Sequence, residues 1–283
     1  ASSPAGCGSR YRFQPANMPV GTATSGNRMP AISLPSDPTW GTNAPYRAVG
    51  ADGSVQRFRP TVDPEADELV AACAELQREP DLRVVIVRGA GERAFSAGFD
   101  LADFADPDGA DLGRAATDAL DSLRAVTIAA IRGHCIGGGV VLASACDLRI
   151  AASDARFAIP EIDLGIPLAW GGLPRLVREL GPALTKELVL TCRPFTAAEA
   201  LGWRWLNAVV EPSEVFDHAA TLAASIAAKP RFGTLSTVQQ TRIASEQLVP
   251  THYADVERVL LDLAASDPES RAAAAAYRAR RER

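Results

Sequence analysis

Three short segments carry residue types that could do chemistry together: AFSAGFD at 94–100, GHCIGGG at 133–139 and FAIPEIDLG at 157–165. The second runs through three glycines into an apolar stretch, VVLASACD, that can form a helix. A helix opened by glycines leaves backbone N–H groups uncovered, and the helix end adds partial positive charge. A ligand oxygen gaining negative charge would be stabilised there, and the turn at Gly98 and Phe99 could supply a second N–H. Two such donors make an oxyanion hole, each worth about 3 kcal/mol of barrier when well aimed. Glu161 is an ionisable residue in an otherwise apolar run, AIPEI. Partial burial would raise its pKa towards the range useful for a base. Each segment also has a plain structural reading: glycine turns serve tight packing, and Glu161 could sit in a surface loop.

The elements that must position these segments alternate between strand and helix. The apolar runs at 84–87 (VVIV) and 126–131 (VTIAAI) predict buried strands, and 148–152 (LRIAA) a weaker third. Residues 65–77 place Leu69, Val70, Cys73 and Leu76 on one helical stripe, with Asp63 and Pro64 as N-cap and first helical residue. Helical patterns recur at 184–191, 196–202, 213–228 and 252–264, and the Ala/Arg-rich 268–283 predicts a surface helix. Strands alternating with helices predict an α/β fold. The chain divides into a largely irregular segment at 1–62, an α/β core at 63–205 and a helical region at 206–283. No fixed-period sequence repeat is present.

Composition narrows the classes. Of 283 residues, 47% are hydrophobic, enough for a sizeable core, and the net charge of −5 argues against a nucleic-acid partner. No run of about 18 apolar residues predicts a membrane span, and the N-terminus lacks a basic-then-apolar leader. The five cysteines are scattered, with no metal-ligand spacing, which fits reduced thiols in a cytoplasmic protein. No metal or redox cofactor is expected.

Three other patterns carry less. RGAGERA after the first strand has the form of a dinucleotide fingerprint, but AFSAGFD follows it where a helix should open. Ser96 lacks the GxSxG elbow, since position 94 is Ala. His134 reads as a structural residue.

Taken together and in order, the segments resemble the crotonase (enoyl-CoA hydratase/isomerase) superfamily from about residue 63 to the C-terminus. The resemblance implies a spiral of ββα repeats with a helical C-terminal trimerisation region, and a homotrimer or hexamer. It implies an acyl-CoA substrate, with coenzyme A as part of that substrate. It places the two oxyanion N–H groups at Phe99 and Gly138 and the acid/base at Glu161. It also puts Ala97, whose carbonyl would contact adenine, with Gly98, Asp100 and Gly137 at the ligand. Arg93, directly before AFSAG, is the candidate for the coenzyme A phosphates, ahead of the basic tail at Arg278, Arg280, Arg281 and Arg283. Trp170 and Phe99 would line the acyl pocket, although core packing explains them equally well.

Two departures matter. Hydratases of the family carry a second glutamate two residues after the last glycine of GGG, and here that position is Val141. The further Asp of dienoyl isomerases falls on Ala169. With Glu161 alone, the expected reaction is double-bond isomerisation. Thioester hydrolysis or weak hydration, and a catalytically poor acyl-CoA-binding protein, are the alternatives. Asp163 could assist Glu161 or be solvated. Second, the hairpin and strand with which the family begins are not legible in 1–62. That stretch is either divergent or the product of a reading-frame or start-site shift.

Overall fold

The computed structural model describes residues 46–49, 55–58, 66–89, 91–98 and 109–281. Phe99 and Asp100 therefore lie outside the described residues, as does most of 1–62. All described residues belong to one compact unit, 39–283.

After a hairpin, β1 (Tyr46–Val49) and β2 (Val55–Phe58), comes helix α1 (Ala66–Leu76). Three β–β–α units follow. The first is β3 (Val84–Arg88), β4 (Ala94–Ser96) and α2 (Gly109–Asp121). The second is β5 (Val126–Ile131), β6 (His134–Ile136) and α3 (Gly138–Ser144). The third is β7 (Leu148–Ala152), β8 (Arg156–Ala158) and α4 (Gly172–Thr191). The first strand of each unit enters one sheet and the second strand another. With β9 (Phe195–Thr196) and β10 (Ala208–Val210), the orders are β10-β7-β5-β3-β1-β2 and β4-β6-β8-β9. This is the α/β fold the sequence predicts, wound as the spiral of ββα repeats that the resemblance implies. The repeat is invisible in the sequence because the β–β links differ in length, from two residues in the second unit to five in the first.

The central strands are parallel and buried on both faces, which is why they read as continuous apolar runs rather than alternating ones. On α1, Leu69, Ala72, Cys73 and Leu76 are buried, the stripe expected of a helix with one core face. Helix α4 is broken at Gly181 (φ 75°, ψ 164°), followed by Pro182, so only its second half was legible as a helix.

Two features depart from the sequence reading. The hairpin β1–β2 lies within 1–62, where no strand was expected, and β1 pairs antiparallel with β3. Strand β10 lies beyond the 205/206 division and extends the larger sheet beside β7. Helix α5 (Ala197–Gly202) precedes β10, and after it come α6 (Val215–Ala227), α7 (Arg231–Leu248), a 3-10 turn at Thr251–Ala254, α8 (Glu257–Ser266) and α9 (Pro268–Arg281). Helix α7 buries no residue, and so gave no hydrophobic stripe. It is tied to the core by Arg242, whose Nη2 donates to Asp147 Oδ1 and Oδ2 at 2.9 and 2.8 Å.

Candidate active site

Parallel pairing of β4 with β6 and of β6 with β8 brings the ends of the three chemistry-bearing segments together. Gly98 leaves β4 with φ 81°. A Cβ there would lie 2.9 Å from the Ile136 carbonyl oxygen and 3.0 Å from the Gly138 nitrogen. Only glycine allows this approach of one backbone to another. Gly137 (φ 55°, ψ −119°) caps α3, its N–H donating to the Ala158 carbonyl at 2.9 Å. Gly138 is the first residue of α3, so its N–H has no acceptor within the helix.

Glu161 sits beside these glycines. A Cβ on Gly137 would come within 2.5 Å of Glu161 Oε1. The side chain is buried, at 8% exposure, and Oε2 has no hydrogen-bond partner among the described residues. Loss of water around the charged form pushes the carboxyl up to about 7, with a backbone N–H bond acting weakly the other way. A tight turn fixes the residue: Leu164 N–H donates to the Pro160 and Glu161 carbonyls at 3.1 Å, and Ile166 N–H to the Glu161 carbonyl at 2.9 Å. Gly165 (φ 74°) lets the start of α9 pack on this turn, since a Cβ there would meet the Ser270 carbonyl oxygen at 2.2 Å. Asp163 is exposed, which favours the solvated reading.

Trp170 forms a wall of the same space. Its six-membered ring occupies the place of a Cβ on Gly138, with Cζ3 at 2.1 Å, and its five-membered ring that of a Cβ on Gly113, with Nε1 at 2.0 Å. The indole is thus wedged between α2 and α3 and is partly buried. Trp170 adopts φ 62°, a left-handed conformation that costs a non-glycine residue about 1–2 kcal/mol. Val141 is 1% exposed and packs against the following segment: its Cγ2 lies 2.7 Å from a Cβ placed on Gly172, with Leu168 alongside.

The structure therefore brings together Gly98, Gly137, Gly138, Glu161 and Trp170. Ala97 is exposed next to Gly98. Arg93 is exposed at the other end of β4, where its carbonyl accepts the His134 N–H at 3.0 Å, so it is not joined to the glycine cluster. Several residues placed here were not singled out in the sequence. They are Gly113, Thr117, Arg175 and Glu257, all of which contact Trp170 or Gly171. A glycine inside the amphipathic α2 was the one available signal.

A cavity of about 1060 Å³ lies elsewhere, between α4 and α7. Its charged lining is internally paired, Arg175 with Asp118 and Asp121, and Arg178 with Glu246. Among the described residues, no group of three His, Cys, Asp or Glu could hold a metal ion, and no helix is long and apolar enough to cross a membrane.

Comparison with known proteins fits this geometry. Residues 62–282 match the family model for enoyl-CoA hydratase/isomerase. A carnitinyl-CoA dehydratase of Salmonella arizonae is 39% identical over 180 residues, covering 62% of this chain and 69% of that protein. The carnitinyl-CoA dehydratase of Escherichia coli O157:H7 is 37% identical over 188 residues, covering 65% and 72%. The crystal structure of an enoyl-CoA hydratase from Bacillus anthracis superposes with a TM-score of 0.60 at 31% identity, covering 65% of this chain and 78% of that one. One from Mycobacterium avium subsp. paratuberculosis reaches 0.69 at 22% identity, over 75% and 87%, a likeness of fold. The chain is an enzyme belonging to the enoyl-CoA hydratase/isomerase family.

Proposed function

We propose that this enzyme binds an acyl-CoA thioester and moves a double bond along its acyl chain. The N–H of Gly138, with that of Phe99, would hold the enolate oxygen, and Glu161 would carry the proton from one carbon to another. The observation that carries this reading is a buried Glu161 of raised pKa lying against Gly137, directly before the helix start at Gly138, while Val141 is packed against apolar neighbours. Hydration in the family is usually described with a second carboxylate that orients the water, a role valine does not fill. Isomerisation needs one base that can reach both carbons. This chemistry asks for no metal or redox cofactor.

The names of the relatives support a second reading, dehydration of a hydroxyacyl-CoA and its reverse. Incubation with 3-enoyl-CoA, 2-enoyl-CoA and carnitinyl-CoA, with Glu161→Gln in parallel, separates the two by product mass. Isomerisation of the 3-enoyl substrate, lost in the variant and with little water added or removed elsewhere, supports the first. Rapid hydration or dehydration overturns it.

Self-association as a trimer or hexamer is part of the same proposal. Its support is the apolar surface on α8 and the turn before it, where Tyr253, Val256, Val259, Leu260 and Leu263 are exposed. Light scattering on the eluted protein tests it, and a single-chain particle rejects it. A cytoplasmic location remains the reading from the cysteine pattern.

A further inference from the structure

Trp170 and Gly171 are consecutive left-handed residues (φ 62° and 69°), and a tryptophan does not hold that conformation without support. Three side chains fasten the turn. Thr117 Oγ1 donates to the Trp170 carbonyl at 2.9 Å. Arg175 Nη1 donates to the Trp170 and Gly171 carbonyls at 3.2 Å each. Glu257 Oε2 accepts the Gly171 N–H at 2.9 Å. Thr117 and Arg175 come from the helices that frame the site. Glu257 comes from the head of α8, in the C-terminal helical region. There the usual surface pattern is inverted: the carboxylate is 9% exposed while Val256, Val259 and Leu263 beside it are more than half exposed. Its other oxygen, Oε1, is buried with no hydrogen-bond partner among the described residues. A charge is rarely placed so unless it holds something in position.

We propose that Glu257 is a positioning residue for the acyl site, holding the Trp170–Gly171 turn and thereby the indole wall over Gly138, and so setting which acyl groups the cleft admits. The inference rests on reading the Gly138–Glu161 cleft as the acyl-thioester site. Without the carboxylate, the buried Gly171 N–H loses its acceptor, and the turn escapes that cost by relaxing. The indole then leaves its seat between Gly113 and Gly138, and the cleft widens.

The test is calorimetric binding of butyryl-CoA and dodecanoyl-CoA to the full chain and its variants. Glu257→Ala shifts the ratio of the two dissociation constants about tenfold towards the longer chain, the scale of one buried hydrogen bond. Glu257→Gln keeps an acceptor for Gly171 and stays near the wild-type ratio. Trp170→Ala shifts the ratio in the same direction, and adding Glu257→Ala to it produces no further shift, because Glu257 acts through the indole. Should the alanine variant not fold, Glu257→Asp, one methylene shorter with the charge kept, gives a smaller shift of the same sign. The assignment is overturned if the ratio does not move, or if it moves equally with and without Trp170. A wild-type protein that binds neither thioester overturns the site reading as well, whereas binding with an unmoved ratio overturns only the role of Glu257.

Discussion

The Glu161 carboxyl lies against the bare Cα of Gly137, close enough that a Cβ there would come within 2.5 Å of Oε1. Gly137 directly precedes Gly138, the first residue of α3. The carboxyl therefore lies one peptide unit away from the N–H at the helix start.

Gly137→Ala tests this link. The added methyl meets Glu161 Oε1 and forces a residue with a side chain into φ 55°. On the proposed function, turnover of an enoyl-CoA thioester should fall on the order of 100-fold, the scale of a displaced oxyanion donor. Thioester binding measured at the same time separates a shifted acid/base group from a blocked cleft.

The raised pKa of Glu161 predicts a pH profile. The ionised base accumulates as pH rises through about 7, so kcat/KM should climb through that region and level off above it. A profile that climbs instead near 4.5, the ordinary glutamate value, means the carboxyl is hydrated.

The same shift predicts a stability signature. Below 4.5 the carboxyl is protonated in folded and unfolded chains alike, and its burial carries no charge penalty. Between 4.5 and about 7 the unfolded chain releases its proton while the folded chain keeps it, so stability falls as pH rises through the folded value. Glu161→Gln should therefore match the wild type at pH near 4 and exceed it at pH near 8, by at most about 3 kcal/mol. Denaturant titrations at the two pH values check this, and equal differences at both would contradict it.

Val141→Glu asks whether the missing carboxylate decides the reaction. Val141 is buried against Gly172 and Leu168, so a glutamate there should cost about 2–4 kcal/mol of stability. If the single-base reading holds, hydration of 2-enoyl-CoA should rise relative to isomerisation. An unchanged product ratio in a folded variant shows that position 141 does not set it.

Arg242→Met removes the bidentate partner of Asp147 and leaves a largely buried carboxylate with, among the described residues, only the Thr127 N–H and hydroxyl, at 2.7 and 2.8 Å. Stability should fall by about 2–3 kcal/mol, because the uncompensated charge outweighs the gain of an apolar side chain. Thermal unfolding of the two proteins measures it.

What the sequence determined by itself was chemistry and local form. Three glycines before an apolar run fix an open helix start, because no Cβ covers the N–H groups. The buried strands β3 and β5 were legible as unbroken apolar runs, and Glu161 stood out as a charge among apolar neighbours. The short strands β4, β6 and β8 were not legible, since three residues are too few to show a period and they form only by pairing with one another. Helix α7 escaped for the opposite reason, as it buries nothing and is tied down by ion pairs, Arg242 with Asp147 and Glu246 with Arg178. Tertiary structure alone decided the environment of Glu161, because desolvation depends on what is packed around a group rather than on its neighbours in the chain. It also decided that Glu257, 86 residues from Gly171 in the chain, reaches back to the turn beside Gly138. Contacts at such separation leave no periodic trace in a sequence, and only folding brings their partners within hydrogen-bond distance.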